Sequence, residues 1–366
     1  KRKHWIAIGV PVLMLAAWFI FFPGGSQSTF YLIFWLFILY LAFTFVGLTQ
    51  QAWGVDISKS YNDRSKVYGW REIGSIFGIM SVLALPAILE NAGSNFTEMI
   101  AGMGYFFLIV LPITALIGLI VIPDNDRNEG TSFPSFSDLP LILKDNRPLI
   151  RTLLIEFLCS SASSISAVTY IYLAKHVFDL EEISSRILFL YFFAGLLVMP
   201  LWMKVSYLIG KSKTLFTSTI LCSLTLASYL FINTNDALIT LVILTVLYGI
   251  GYGAPFTLTR ALMADIVDAD ELKSKKKRPG LFYSILTTFS KVGAAIAVGL
   301  VYTYLEFNGF KPDQIASEKI KEILLFVFAF IPMILYFCAS LFCIGYELTS
   351  EKHKEIQKQL ELRNGT

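Results

Sequence analysis

Ten stretches of about twenty apolar residues, parted by short polar connections, run the length of the chain at roughly 4–23, 30–52, 68–89, 99–122, 149–173, 186–209, 214–232, 237–262, 280–305 and 322–346. An α-helix needs about twenty such residues to cross about 30 Å of hydrocarbon at 1.5 Å per residue. None of the runs alternates with period two, so the pattern predicts helices and not barrel strands. The expected fold is all-α and integral to a membrane, a two-half helical bundle of about ten transmembrane helices. The longest interior polar loop, 123–148, divides it into an N-terminal half at 1–122 with four spans and a C-terminal half at 149–346 with six. The remaining 347–366 is charged with sparse apolar positions, which predicts a short cytoplasmic surface helix with a solvated face.

Composition narrows the class. Hydrophobic residues make up 55% of the chain, only 16% are charged, and the mean hydropathy of +0.63 excludes a water-soluble enzyme. Of the 30 Lys and Arg, about twenty-two fall in alternate connections, among them Lys1-Arg2-Lys3, Lys211, Lys213 and the run Lys273 to Arg278. By the positive-inside rule those connections and both ends are cytoplasmic, as in a bacterial inner-membrane protein. Cys159, Cys222, Cys338 and Cys343 all lie within apolar runs and read as packing residues, while His4, His176 and His353 sit near span ends. Neither set has metal-ligand spacing, so no metal, organic cofactor or nucleic-acid partner is expected.

A trace of an internal repeat points to a carrier. Trp53-Gly54-Val55-Asp56-Ile57 ends the second run and Leu262-Met263-Ala264-Asp265-Ile266 ends the eighth, each followed by acids and then bases, and the next run opens near Gly69 or Gly280. Parallel repeats of this kind belong to proteins that rock two halves around a central site. If the second span corresponds to the eighth, two helices are expected ahead of Lys1, and the chain is N-terminally incomplete.

Polar residues inside spans are the candidates for chemistry, because a charge at the centre of a membrane helix costs about 2.5–3.5 kcal/mol on insertion scales. Lys291 lies near mid-span, with Ser284, Thr287, Thr288, Ala294 and Ala295 making a small, polar face. Glu156 heads a face continued by Ser160, Ser163, Ser164 and Tyr170, and Arg71 stands beside Glu72 at the start of the third span. Gln50, Gln51 and Trp53 join amides to an aromatic ring, which suits a sugar and suits interhelical hydrogen bonding equally. The packing alternative is a buried ion pair for Lys291 and a protonated side chain bonded to a neighbouring helix for Glu156, while Arg71 can snorkel to the cytoplasmic interface as a gate contact. Gly249, Gly251 and Gly253 with Pro255 mimic a phosphate loop but fall within an apolar run, where close helix contact explains them better.

The stretch Ala52 to Ser58, then Tyr61, Asp63-Arg64 and Arg71, resembles the fourth-to-fifth helix signature of the glycoside–pentoside–hexuronide:cation symporters, the melibiose-carrier-like branch of the major facilitator superfamily. Asn146-Arg147-Pro148, Pro200-Leu201-Trp202 before Gly210-Lys211, Ala264-Asp265-Ile266-Val267-Asp268 before Gly280 and Lys291, and Ile331-Pro332 before Tyr346-Glu347-Leu348 follow in order. The resemblance implies a monomeric secondary transporter in the lipid bilayer that couples uptake of a small-molecule solute, a sugar or glycoside, to sodium or a proton by alternating access. It places Lys291 by the cation site and Arg71 by the solute, while the amide, carboxylate and aromatic chemistry of Gln50, Gln51, Trp53, Glu156 and Tyr170 makes them expected further solute contacts. Asp56, Asp63, Arg64, Asp265 and Asp268 fall on the cytoplasmic gate. The family also includes carriers of lysolipids. A membrane-embedded lipid-modifying enzyme is the alternative of another class; it needs a paired-acid metal motif or a His/Cys nucleophile at an interface, which Asp265, Asp268 and Asp270 mimic, but the adjacent Lys-rich run resembles a cytoplasmic gate more.

Overall fold

A computed structural model describes residues 2–25, 28–57, 61–91, 96–122, 142–144, 146–232, 237–276, 278–312, 314 and 316–364. Each of the ten apolar runs has its helix: α1 (Arg2–Phe21), α2 (Thr29–Ile57), α3 (Tyr61–Asn91), α4 (Phe96–Val121), α5 (Arg147–His176), α6 (Glu181–Ile209), α7 (Lys211–Tyr229), α8 (Ala237–Ser274), α9 (Pro279–Phe307) and α10 (Glu318–Cys343). An eleventh, α11 (Ser350–Asn364), follows them, and no strand occurs among the described residues. Eight of the ten are long and apolar enough to cross a membrane on their own. The exceptions are α3, which opens with Asp63, Lys66, Arg71 and Glu72, and α7, which carries two lysines and a row of hydroxyl residues. Thr214, Ser218, Thr219 and Ser223 of α7 are nevertheless buried, because the helix is packed between α8 and α10. Polar positions are tolerated there since each hydroxyl can bond a carbonyl one turn back, as Thr219 does to Leu215 at 2.9 Å.

The chain forms two compact units. The first comprises Lys1–Lys59 and Phe77–Thr131, and the second Ser60–Ile76 and Ser132–Thr366. In the first unit α1 packs on α2 and α4 around Ile6, Val10 and Trp53, with Leu111, Ala115 and Leu119 of α4 against them. Lys3 donates to the Leu119 carbonyl at 2.6 Å, and Phe19 stacks on Trp35 at 4.2 Å.

In the second unit α5 lies against α8, α9 and α10, and α6 lies along α8. Asn146 caps α5, its Oδ1 accepting the Leu149 N–H at 3.2 Å, with Pro148 in the first turn where no donor is needed. A Cβ at Gly249 would collide with the Tyr191 carbonyl, and one at Gly251 would sit 2.5 Å from the Cys222 Sγ. These glycines let α6 and α7 close onto α8, the close-contact reading of the glycine run. In α10 a π-helical turn, Phe326–Phe330, stands just ahead of Pro332, whose ring cannot donate and crowds the carbonyl four residues before it. All four cysteines are unbridged and three are buried, as packing residues should be.

One expectation is corrected. The eighth helix does not stop at 262 but continues to Ser274, so Asp265, Asp268, Asp270 and Glu271 ride on a helix and not in a loop. Apolarity ends where a helix leaves lipid, whereas the helix itself ends only where its backbone hydrogen bonds lose support. The C-terminal stretch is a helix with a largely exposed face, as its pattern predicts. It packs as α11 against α8, with His353 fully buried. Most of the 123–148 loop lies outside the described residues.

Candidate functional site

Three helices of the second unit and the part of α3 that belongs to it bring charged and aromatic side chains together. Glu156, nine residues into α5 and 1% exposed, accepts the Thr259 hydroxyl on Oε2 at 2.6 Å. Its Oε1 makes no hydrogen bond and lies 3.8 Å from Nη1 of Arg260. That nitrogen donates to the Phe256 carbonyl one turn back at 2.6 Å, and the guanidinium stands 6.0 Å from the Phe256 ring centre. On α3, Arg71 approaches Glu72 at 3.7 Å and lies in the field of Arg260, Tyr68 and Tyr283. Tyr68 and Tyr283 share a hydroxyl–hydroxyl hydrogen bond, and Tyr283 donates to the Arg260 carbonyl at 2.9 Å. Tyr252, one turn before Phe256, packs on it and senses Glu72, Arg260 and Glu156.

Among the described residues, the Nε atoms of Arg71 and Arg260 are buried without an acceptor and Oε1 of Glu156 without a donor. A guanidinium offers five donors in a planar fork, and buried donors of this kind normally find partners. The cluster therefore holds buried donors and an acceptor left unsatisfied among the described residues, with the aromatic rings of Phe256 and Tyr252 nearby.

The other residues singled out from the sequence are spread elsewhere. Gln51 and Trp53 are buried in the first unit and Gln50 is exposed there, so the three do not share one face. Trp53 belongs to the Ile6–Val10 apolar cluster. Tyr170 is fourteen residues from Glu156 on α5, about 21 Å along the axis, and its hydroxyl is spent on the Ser184 carbonyl at 3.2 Å. Ser160 bonds the Ser290 carbonyl at 2.8 Å, tying α5 to α9. Lys291 is exposed on α9, next to exposed Val292. Asp63 pairs loosely with Lys66 at 4.0 Å, and the side chains of Asp56 and Arg64 lie outside the described residues.

Asp265 and Asp268 belong to a second cluster further along α8. Lys211, wholly buried at the start of α7, donates to both Asp265 oxygens at 2.9 and 2.7 Å. His353 of α11 reaches Asp268 at 3.2 Å and Asp265 at 3.5 Å. Arg278 grips Asp270 with two bonds of 2.8 and 3.0 Å, and Arg363 pairs with Glu271 at 3.2 Å. No group of three or more His, Cys, Asp or Glu side chains suited to a metal occurs among the described residues.

A family model described as MFS/sugar transport protein matches residues 1–350. The chain belongs to that family. Among relatives of this MFS transporter, the sodium-dependent lysophosphatidylcholine symporter 1 of Xenopus tropicalis is 22% identical, the match covering 98% of this chain and 76% of the relative. The glucuronide carrier protein homolog of Escherichia coli is 22% identical over 99% of this chain and 80% of that one. In fold, it is similar to a bacterial homologue of the iron transporter ferroportin in the outward-facing state, with a TM-score of 0.66 at 13% identity over 94% of this chain and 83% of that one. Family and relatives are transporters and not enzymes, which sets aside the lipid-modifying alternative.

Sequence reasoning missed Arg260, Thr259, Tyr283, Lys211 and His353. A signal existed for Arg260, a charge within the apolar run 237–262. None existed for Lys211, which reads as one more cytoplasmic base.

Proposed function

We propose that the protein is a cation-coupled symporter of a small polar organic solute of the glycoside type, working as a monomer by alternating access. The carrying observation is the Glu156–Arg260–Arg71 cluster with its unsatisfied Oε1 and Nε atoms beside Phe256 and Tyr252. Carboxylate and guanidinium groups bond sugar hydroxyls, and aromatic faces cover the apolar faces of the ring. Lys291 takes the coupling role on this reading, with sodium or a proton as the driving ion. The Lys-rich connections and both ends face the cytoplasm, of a bacterial inner membrane on this reading, and the buried Lys211–Asp265–His353–Asp268 cluster works at that side. Asp56, Asp63 and Arg64 complete the cytoplasmic gate.

The test is counterflow of labelled glycosides into proteoliposomes of the natural full-length protein, with and without an ion gradient. Saturable, ion-driven uptake lost in Glu156→Ala supports the reading, and uptake of no sugar overturns it. A lysolipid is the second reading. It is favoured by an apolar groove of about 430 Å³ lined by Phe157, Ile165, Ile296, Leu300, Tyr304 and Val327, and by the lysophosphatidylcholine relative. Displacement by lysolipids and by no sugar selects it.

A further inference from the structure

We infer that α11 is a releasable strap over the acids of α8, docked while His353 carries a proton and freed when that proton is lost. The strap concerns control of the carrier and is independent of the solute it takes.

Three observations carry it. The first is the joint that aims α11. The Arg151 guanidinium of α5 donates to the carbonyls of Ile344 and Gly345 at 3.0 and 2.7 Å, closing the end of α10. Gly345 turns the chain there at a φ of 64°, in the left-handed region that favours a residue without a Cβ. Tyr346 then shares a hydroxyl–hydroxyl bond of 2.8 Å with Thr152, and the Thr349 hydroxyl accepts the Lys352 N–H at 3.4 Å where the helix begins. The joint is held by α5 and not by the acids of α8, so α11 can lift while its root stays in place.

The second is where His353 lands. Its Nε2 stands 3.2 Å from Asp268 and 3.5 Å from Asp265, and Lys211 of α7 donates to both oxygens of Asp265. The side chains of His353, Lys211 and Asp265 are wholly unexposed, and that of Asp268 is 12% exposed.

The third is charge. Lys211, a protonated His353, Asp265 and Asp268 sum to zero, whereas a neutral His353 leaves one carboxylate charge in excess. An unbalanced charge held away from water is costly, and lifting α11 opens Asp268 to solvent and removes that cost. Docking and protonation of His353 therefore favour each other. The strap is tightest in acid and loosens as pH rises through the range where a histidine gives up its proton. The other contacts of α11 and its neighbours keep their charge over that range: Arg363 reaches Glu271 at 3.2 Å, Arg278 holds Asp270 at 2.8 Å, and Lys352, Lys354 and Lys358 are exposed. Docked, α11 covers Asp268 beside the Lys211–Asp265 pair. Freed, it leaves Asp268 to water while that pair remains, so pH on the face that bears α11 sets how the ends of α7 and α8 are held.

The experiment places spin labels at the exposed positions Gln359→Cys on α11 and Lys273→Cys on α8 of the natural full-length protein in nanodiscs, with single-label samples to account for the native cysteines. Label-to-label distances are read from about pH 6 to about pH 8.5. The ratio of the short-distance to the long-distance population should fall about tenfold or more across that range. His353→Gln should remove the response, and Arg363→Gln should retain it. Asp268→Asn lets a neutral His353 balance the cluster, so it should flatten or invert the response, and it serves where the His353 variant fails to fold. A distance distribution that does not change with pH in the unsubstituted protein, a response that survives His353→Gln, or one unaltered in Asp268→Asn overturns the strap.

Discussion

Lys211 and Asp265, fifty-four residues apart in the chain, form an ion pair of 2.7 Å in which neither side chain is exposed. Removing one partner of such a pair strands a charge out of water, whereas removing both need cost little. Lys211→Met and Asp265→Leu are each expected to destabilise by about 3–5 kcal/mol, and the double variant by much less. Thermal unfolding in detergent across the double-mutant cycle reads this. Additive single losses would show that the two residues do not act as a pair.

The docked α11 supplies His353 to Asp268 at 3.2 Å and Arg363 to Glu271 at 3.2 Å. Arg363 is about a third exposed, so Arg363→Ala should cost about 1 kcal/mol or less. His353→Ala, which opens a buried site beside two carboxylates, should cost about 2 kcal/mol or more. The ordering of the two melting temperatures is the measurement, and a larger loss for Arg363→Ala contradicts the placement of α11.

Gly249 faces the Tyr191 backbone of α6 with no room for a methyl group. A backbone carbonyl cannot swing aside as a side-chain tip can, so Gly249→Ala must separate α6 from α8. A loss of about 1–3 kcal/mol is expected. Gly299, also within a helix but with nothing near its missing Cβ, is the control, and Gly299→Ala should be neutral or slightly stabilising. Equal melting temperatures for the two variants would refute the close approach.

Lys291→Ala should abolish ion-driven accumulation while leaving a folded carrier in the membrane, if the lysine belongs to the coupling machinery. Lys291 is exposed on α9, so loss of fold is not the expected cause. Proteoliposome uptake at several ion concentrations decides it. Unchanged accumulation and ion dependence return Lys291 to a packing role.

Truncation of the Arg260 side chain to Ala should slow solute uptake without the stability loss expected at Lys211, because among the described residues the Arg260 side chain makes a 3.8 Å ion pair, a ring contact with Phe256 and one bond to its own helix. Parallel measurement of uptake and melting separates the two effects, and a large drop in melting temperature would make Arg260 a structural residue.

The sequence by itself determined the class of this protein and most of its helices. Membrane hydrocarbon imposes one length and one polarity on every segment that crosses it, so ten runs of apolar residues become helices whatever their neighbours. The order of short motifs carried the family for the same reason, since each motif is local. Only the tertiary structure decided which polar residues meet. Gln50, Gln51 and Trp53 lie within four residues of sequence, yet one is exposed and two are buried. Arg71, Glu156 and Arg260 are scattered over three helices and share one neighbourhood. Lys211 and His353 resemble surface charges until Asp265 and Asp268 are seen beside them. Hydropathy records how a residue relates to its solvent. Which charge faces which is set by helix rotation and crossing, and these depend on packing such as that at Gly249 and Gly251, which no local pattern encodes.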